Sequence, residues 1–501
     1  MPPLSSQLRS LLERAVIDAH DEADRASRAI LATLAVQRPE PFAALSQEQR
    51  QLRNGLRAQV RRLGGRDSQH GFELLVEEVA YAQWHRMLFA RFLAENDLLM
   101  HPSGVAVTLE ECAELAREVG DLDTWQLAGS YVDTMLPGIF QEADPAVQVH
   151  FAPEGRQALE RILADLPSAV FTADDALGWG YQFWQTKKKD AVSRSGRKIC
   201  ADDLAAVTQL FTDDYIVQFL LEHSLGAWWA TRHPESPLLK DFSYLQQRNG
   251  EQPTHDPFSQ WPDRAASITI LDPCCGSGHF LIAAFEMLWR MRVEEEGLST
   301  VDAIDAVLRD NLFGLELDPR CAQIAAFGLV FAAWKAGGYR RLPPPQIACS
   351  GTAVVEQLEE WTGLVDGNQD ASATLEQLYT LFHNAPDVGS LIDPLDVAPQ
   401  ENFFAVDYAQ VEPFLTQVLA EKRRDTHPSA LLSSSAAESV ARAASILAGT
   451  YTLVATNVPY LGRGKQDESL KAYCACVHPK AKTDLATCFI ERCLEFCADS
   501  C

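Results

Sequence analysis

The chain has 501 residues, too many for one compact core, and its 47% hydrophobic and 22% charged content is that of a folded protein rather than a disordered one. Its 43 Lys+Arg against 69 Asp+Glu leave a net charge of −26, which excludes a protein that coats nucleic acid over its whole surface but not one basic groove on an acidic body. The longest nearly apolar stretch, Cys321 to Trp334, is 14 residues long and contains Gln323, short of the roughly 20 needed to cross a bilayer.

The N-terminus, MPPLSSQLRSLLERAVIDAHDEAD, reads as an amphipathic helix with early charges rather than a signal peptide. The expectation is a cytoplasmic protein, free of membrane, with reduced thiols. Residues 1–165 are helical in pattern. Phe72 to Leu99 repeats apolar residues at three- and four-residue steps for several turns, and no run alternates with a period of two. This third reads as a helical N-terminal domain. Residues 166–265 change character, with an aromatic cluster (Trp179, Tyr181, Phe183, Trp184) followed by KKKDAVSRSGRK. That basic stretch is expected to be a loop. On so acidic a chain, Lys187, Lys188, Lys189, Arg194, Arg197 and Lys198 are the local candidates for touching phosphate.

From 266 onward, strands and helices alternate. Strands are expected at Ser267–Leu271, Leu312–Leu315, Gln346–Cys349 and Thr452–Ala455. Helices are expected at Phe280–Val293, Asp302–Leu308, Pro319–Lys335 and Asp484–Phe496. Strands separated by helices imply an α/β fold with a parallel, doubly wound (Rossmann-like) sheet over 266–501. Between about 350 and 445 the sequence is polar and irregular and reads as an insertion.

Three motifs carry chemistry. In ITILDPCCGSGHF (268–280) a strand runs into Asp272-Pro273, and Gly276 and Gly278 turn the chain into a helix. Glycines there let backbone approach a ligand, and the helix start offers unpaired N–H groups. The G-x-G-x-x-G fingerprint is not matched, which counts against a nicotinamide or flavin cofactor. In NLFGLELDPRCAQIA (311–325), Glu316 ends the second strand, where a carboxylate accepts the ribose hydroxyls of a bound nucleoside. Asp318 is expected to cap the next helix. In YTLVATNVPYLGRGK (451–465) a strand delivers Asn457, Val458, Pro459 and Tyr460 to the carboxyl edge of the sheet. An Asn carbonyl and the following backbone carbonyl accept from an exocyclic amine while an aromatic ring stacks on the same base, the arrangement that holds an extrahelical base.

The order DPCCGSGHF, GLELD, NVPY, preceded by FTDDYIVQFLLEHSLG, resembles the γ-class amino-methyltransferases of DNA. LGWGYQFWQTKKKD (177–190), TQLFTDDYIVQFLLEHSLGAWW (208–229) and FHNAPDVGSLI (382–392) further resemble the large adenine-specific methyltransferases of DISARM or BREX phage-defence systems, the wording of 177–229 leaning towards DISARM. This resemblance covers roughly 165–500. It implies an S-adenosyl-L-methionine site lined by Asp272, Cys274, Gly276 and Gly278, with Thr212 of the FTDDY segment at the methionine end and Glu316 on the ribose. It also implies that Asn457 and the Val458 carbonyl hold the adenine N6 amine, and that Tyr460 stacks on the flipped base. The product would be N6-methyladenine in double-stranded DNA, marking host DNA as self.

Two departures stand out. The family tetrapeptide is usually N-P-P-Y, and Val458 replaces its first proline. At the third strand, where a polar side chain would meet the cofactor's adenine, the sequence offers Ser350, with Asp407 of FFAVDY as an alternative. A methyltransferase domain that stops at Cys501 looks truncated, so a target-recognition part is expected on a missing or separate C-terminal segment, alongside other defence-system proteins. The alternatives are a split or impaired subunit that binds cofactor, DNA or a partner without methylating, or N4-cytosine or protein-glutamine methylation by the same N-x-P-Y chemistry. Cys474, Cys476, Cys488, Cys493, Cys497 and Cys501 crowd the C-terminus with spacings that suit zinc poorly, so they read as small buried hydrophobes and no metal is expected.

Overall fold

The computed structural model describes residues 3–65, 67–120, 122–137, 139, 144–245, 257–354, 357–365, 368–395, 408–422 and 428–497. They divide into two compact units, one of 1–187, 354–379 and 415–437 and the other of 188–353, 380–414 and 438–501.

The first unit is helical among its described residues. Its frame is α1 (Ser6–Thr33), α2 (Gln47–Gly64) and α3 (Ser68–Glu95). Each start is fixed by a polar cap, Ser5 for α1, a Ser46/Gln49 capping box for α2 and Asp67 for α3, which satisfy N–H groups that have no partner within the helix. The apolar steps read in 72–99 become the buried face of α3, with Phe72, Leu75, Val79, Trp84, Phe89 and Phe92 removed from water. Arg53 is buried on the same frame. Its guanidinium donates to the carbonyls of Ala35 at 3.1 Å, Arg38 at 2.6 Å and Pro39 at 3.0 Å.

Among its described residues the second unit holds a four-stranded parallel sheet of β1 (Ile270–Asp272), β2 (Leu312–Glu316), β3 (Gln346–Cys349) and β4 (Leu453–Val454) in the order β3-β2-β1-β4. The chain returns from β1 to β2 through helices His279–Glu296 and Thr300–Asp310, and from β2 to β3 through helix Pro319–Gly337. Every residue of β1 is buried, as expected of a central parallel strand covered on both faces. Because β1 lies between β2 and β4, the carboxyl ends of all three deliver their next residues to one edge of the sheet.

Three expectations are corrected. The first strand begins at Ile270 rather than Ser267, because Ala265–Ser267 forms a 3-10 turn whose carbonyls are engaged elsewhere. Asn311 Nδ2 donates to Ala265 O at 2.9 Å and Ile268 O at 2.6 Å, drawing the chain out of extended pairing. The basic stretch is not a loop through most of its length, since Thr186–Ser195 is helical. Lys and Arg are good helix formers, and Asp190 supports Arg194 one turn on at 3.3 Å. The 350–445 stretch is helical rather than irregular where it is described, with helices Leu358–Thr362, Gln369–Phe382, Tyr408–Lys422 and Pro428–Leu447.

Candidate active site

The site is built where β1 ends. Asp272 is 1% exposed, and its Oδ1 accepts Cys274 N at 3.1 Å, which begins the turn. Its Oδ2 is buried with Thr456 Oγ1 as neighbour, and neither atom makes a hydrogen bond of ordinary geometry. Gly276 (φ +54°) and Gly278 (φ +85°) take the left-handed conformation the turn requires. A Cβ on Gly278 would also lie 3.1 Å from Ala325 Cα. Helix His279–Glu296 starts directly behind this turn, so its free N–H groups face the carboxyl edge of the sheet.

Glu316, at the end of β2, grips the same turn. One carboxylate oxygen accepts Gly276 N at 2.8 Å and the other accepts Asp318 N at 3.1 Å. The Leu317 N–H adds a third donor, which leaves the carboxylate one further acceptor position. Burial pushes both Asp272 and Glu316 up to about 7, each further raised by a neighbouring carboxylate. Asp318 is structural, as its spacing indicated. It caps helix Pro319–Gly337 by accepting Arg320 N at 2.9 Å and pairs with the same arginine's guanidinium at 3.1 Å. Burial also pushes the Cys274 thiol well above its usual range, so this residue presents a neutral group to the turn.

The FTDDY segment crosses the Gly-rich turn. Gln209 Nε2 donates to Cys321 Sγ at 2.7 Å, while Gln209 Oε1 is buried without a partner. Phe211 stacks on His279 with centroids 4.8 Å apart and planes 9° from parallel. The His279 Nδ1 donates to Thr212 O at 2.9 Å, and its Nε2 lies 3.4 Å from Asp214 Oδ1. That contact holds the Asp214 carboxyl below the usual carboxylate range.

After β4 the chain brings Asn457 to the same place. Asn457 Nδ2 donates to Thr212 Oγ1 at 3.0 Å, and the Tyr460 hydroxyl donates to Asn457 Oδ1 at 3.1 Å. The ring of Tyr460 is 60% exposed, so a large aromatic face lies open beside a polar amide. Val458 and Pro459 are half-buried between them. Asp272, Cys274, Gly276, Gly278, Glu316 and Thr212 are thus linked by hydrogen bonds or chain adjacency to one edge of the sheet, together with Asn457 and Tyr460. Ser350 is fully buried and accepts from Ser390 Oγ at 3.0 Å. Asp407 lies outside the described residues.

The basic candidates separate. Lys187 pairs with Asp21, Arg194 with Asp190, and Arg197 with Asp203 at 2.7 Å. Lys188 and Lys189 are half-buried on helix Thr186–Ser195. Lys198 donates to Gly464 O, and next to it Ile199 N donates to Lys465 O at 2.8 Å. The end of the basic stretch is therefore strung beside the segment that follows the N-V-P-Y turn. Arg463 and exposed Lys465 join it there, two cations outside the set expected from the sequence. They are visible in LGRGK, six to eight residues past Asn457. His279 and Gln209 also fall outside that set, because their partners lie in distant segments.

Of the C-terminal cysteines, Cys474 and Cys488 are buried and Cys493 and Cys497 half-buried, but Cys476 is exposed, against expectation, and Cys501 lies outside the described residues. Among the described residues no cluster of His, Cys, Asp or Glu is placed to hold a metal ion, and no helix is long and apolar enough to cross a membrane.

Residues 247–340, which hold the Gly-rich turn and Glu316, match the family described as MmeI, DNA-methyltransferase domain. The chain is 28% identical over 472 residues to the adenine-specific methyltransferase PglX of Lacticaseibacillus casei (strain Zhang), covering 83% of this chain and 38% of that protein. It is 28% identical over 498 residues to the adenine-specific methyltransferase BrxX of Escherichia coli O9:H4 (strain HS), covering 86% of this chain and 40% of that protein. The chain therefore spans about two fifths of the length of these curated relatives. Among solved structures, a DrdV–DNA complex matches at 12% identity with a TM-score of 0.43, covering 98% of this chain and 35% of that one. The type IIL restriction-modification enzyme MmeI in complex with DNA matches at 13% identity with a TM-score of 0.38, covering 99% of this chain and 49% of that one. Over most of its length the chain is thus similar in sequence to proteins named adenine-specific methyltransferases.

Proposed function

We propose that the chain transfers a methyl group from S-adenosyl-L-methionine to the N6 amine of adenine in double-stranded DNA, and that this modification marks host DNA within a phage-defence system of the DISARM or BREX type. On this reading residues 266–501 form a Rossmann-like methyltransferase core, 1–165 a helical N-terminal domain, and 166–265 the part that carries the FTDDY segment. The enzyme acts in the cytoplasm, with duplex DNA and the other proteins of the defence system as partners. The observation that carries the proposal is the convergence of Asp272, Glu316, Thr212, Asn457 and Tyr460 at one edge of the sheet.

The residues present fit a nucleoside cofactor. Asp272 Oδ2 is a buried acceptor with only Thr456 Oγ1 beside it, and Glu316, with three backbone N–H groups on its carboxylate, keeps acceptor capacity for one more donor. Carboxylates pair with hydroxyl and ammonium donors, and Gly276 and Gly278 put no side chain between their backbone and a ligand. The bound cofactor supplies an electrophilic methyl group on a sulfonium, and needs no metal to do so. The chain's own residues do the rest. Asn457 Oδ1 and the Val458 carbonyl accept both hydrogens of the adenine amine, which draws electron density towards its nitrogen and aims the lone pair inward. Tyr460 stacks on the extruded base, replacing the base-pair neighbours it leaves behind in the duplex. Positioning and amine polarisation carry the catalysis, so no covalent intermediate on the protein is needed.

The test is methyl transfer from radiolabelled S-adenosyl-L-methionine to unmethylated DNA, with cofactor binding measured in parallel by calorimetry. Asn457→Ala is expected to bind cofactor as wild type does and to transfer at least about 100-fold more slowly, because the amine's principal acceptor is gone. Transfer at an unchanged rate in that variant would remove Asn457 from the chemistry.

A further inference from the structure

An asparagine side chain is a plane with a donor at one end and an acceptor at the other, and its usefulness depends on where that plane is held. At Asn457 two contacts hold it. Nδ2 reaches inward to Thr212 Oγ1 at 3.0 Å, and Oδ1 faces the exposed side, where the Tyr460 hydroxyl reaches it at 3.1 Å. The inner contact crosses 245 residues of sequence. Thr212 is itself tied down, because its carbonyl accepts His279 Nδ1 at 2.9 Å. That histidine opens the helix behind the Gly-rich turn, is stacked on Phe211, and faces Asp214 at 3.4 Å. Both of its partners accept, so the ring bridges them fully when both nitrogens carry hydrogen. Thr212 therefore answers to the Gly-rich turn through its backbone and to Asn457 through its side chain.

We propose that Thr212 is a positioning residue for the transfer step: its hydroxyl fixes the Asn457 amide relative to the Gly-rich turn, so that Oδ1 meets the incoming amine in line with the methyl donor. This rests on the function proposed above. The hydroxyl can pair with either end of the amide. The incoming amine, which is a donor, selects Oδ1, and Thr212 Oγ1 then takes Nδ2. Only the Tyr460 contact has to give way when the base arrives. Without the threonine hydroxyl, Nδ2 has no partner in a half-buried position, and the side chain turns to find one. Misplacement of a reacting partner by an ångström slows a transfer step far more than it weakens binding. Thr212 thereby couples the order of the FTDDY segment, which covers the Gly-rich turn, to the readiness of the base site.

The experiment compares Thr212→Val, which keeps the shape and removes the hydroxyl, with Thr212→Ser, which restores it. In steady-state methylation of unmethylated genomic DNA, Thr212→Val is expected to lower kcat about 10- to 100-fold with KM for DNA within about threefold. Thr212→Ser should recover to within about threefold of wild type. In a crystal structure of Thr212→Val, Asn457 is expected in a second side-chain position. Wild-type kcat in Thr212→Val, equal impairment of the valine and serine variants, or an unmoved Asn457 would each overturn the proposal. If wild-type protein methylates no base, the proposed function fails, and the Asn457 position in Thr212→Val still decides the positioning role.

Discussion

The Tyr460 hydroxyl donates to Asn457 Oδ1 at 3.1 Å, so the acceptor that an adenine amine needs is already engaged by the residue expected to stack on the base. The two roles of Tyr460 separate chemically. The ring supplies stacking, worth roughly 1–3 kcal/mol per base, whereas the hydroxyl competes with the substrate for Oδ1. Tyr460→Phe is expected to methylate DNA at least as fast as wild type. Tyr460→Ala should fall about 10- to 100-fold in kcat/KM. Steady-state kinetics of the two variants check this, and equal impairment in both would show that the hydroxyl itself is required.

Asp272 makes a second separable prediction. Its carboxyl is pushed from the usual carboxylate range up to about 7 by burial, so the folded state holds a proton that the unfolded chain gives up near pH 4. A raised folded-state value means stability from this group is fullest at low pH and falls as pH rises from about 4 to about 7. Asp272→Asn keeps an oxygen for Cys274 N and turns an amide towards Thr456 Oγ1 in place of an unpaired oxygen. The variant without cofactor should melt about 3 °C or more above wild type at pH 8, with the gap closing towards pH 4. Thermal unfolding followed across pH measures this directly, and identical melting at pH 8 would contradict it.

Cofactor binding should carry the opposite pH dependence. Hydroxyl and ammonium donors pair with ionised carboxylates, and both Asp272 and Glu316 give up their protons near 7. Affinity for S-adenosyl-L-methionine is therefore expected to rise with pH through 7 and level off above 8, falling below 7 by up to about tenfold per pH unit for each of the two carboxyls. Calorimetry at pH 6, 7 and 8 tests the sign, and tighter binding at pH 6 would refute it.

Contact with DNA is expected from the cations beside the N-V-P-Y turn rather than from those already paired. Lys198 lies against Gly464, with Arg463 and Lys465 in the same segment, whereas Lys187 and Arg194 are matched by Asp21 and Asp190. Replacing Lys198 and Lys465 together by alanine should weaken duplex binding for every sequence and lower the salt slope by about 0.9 for each phosphate no longer neutralised. Replacing Lys187 and Arg194 should do much less. Fluorescence anisotropy over a salt series distinguishes the two pairs, and the reverse ranking would place the DNA elsewhere.

What is legible in the sequence depends on whether the cause is local. Gln346–Cys349 is delimited correctly because a short apolar run follows three prolines, and Asp318 is recognisable as a cap from Asp-Pro at a strand end. The start of β1 is not, because the residue that ends its extension, Asn311, acts from 40 or more positions away. The basic stretch suggests a loop although it is helical, because charge marks solvent exposure and does not mark backbone conformation. At the site, the motifs name the residues but not their pairings. Thr212 to Asn457 and His279 to Thr212 are contacts of the folded chain, and no spacing in the sequence announces them.

The identity of the methylated nucleoside tests the central proposal most directly. DNA treated with the protein and S-adenosyl-L-methionine is digested to nucleosides and analysed by mass spectrometry. The proposed chemistry predicts N6-methyladenosine as its deoxynucleoside, formed by wild-type protein and at least about 100-fold more slowly by Asn457→Ala. Methylation at cytosine N4, or on no base in DNA, would contradict it.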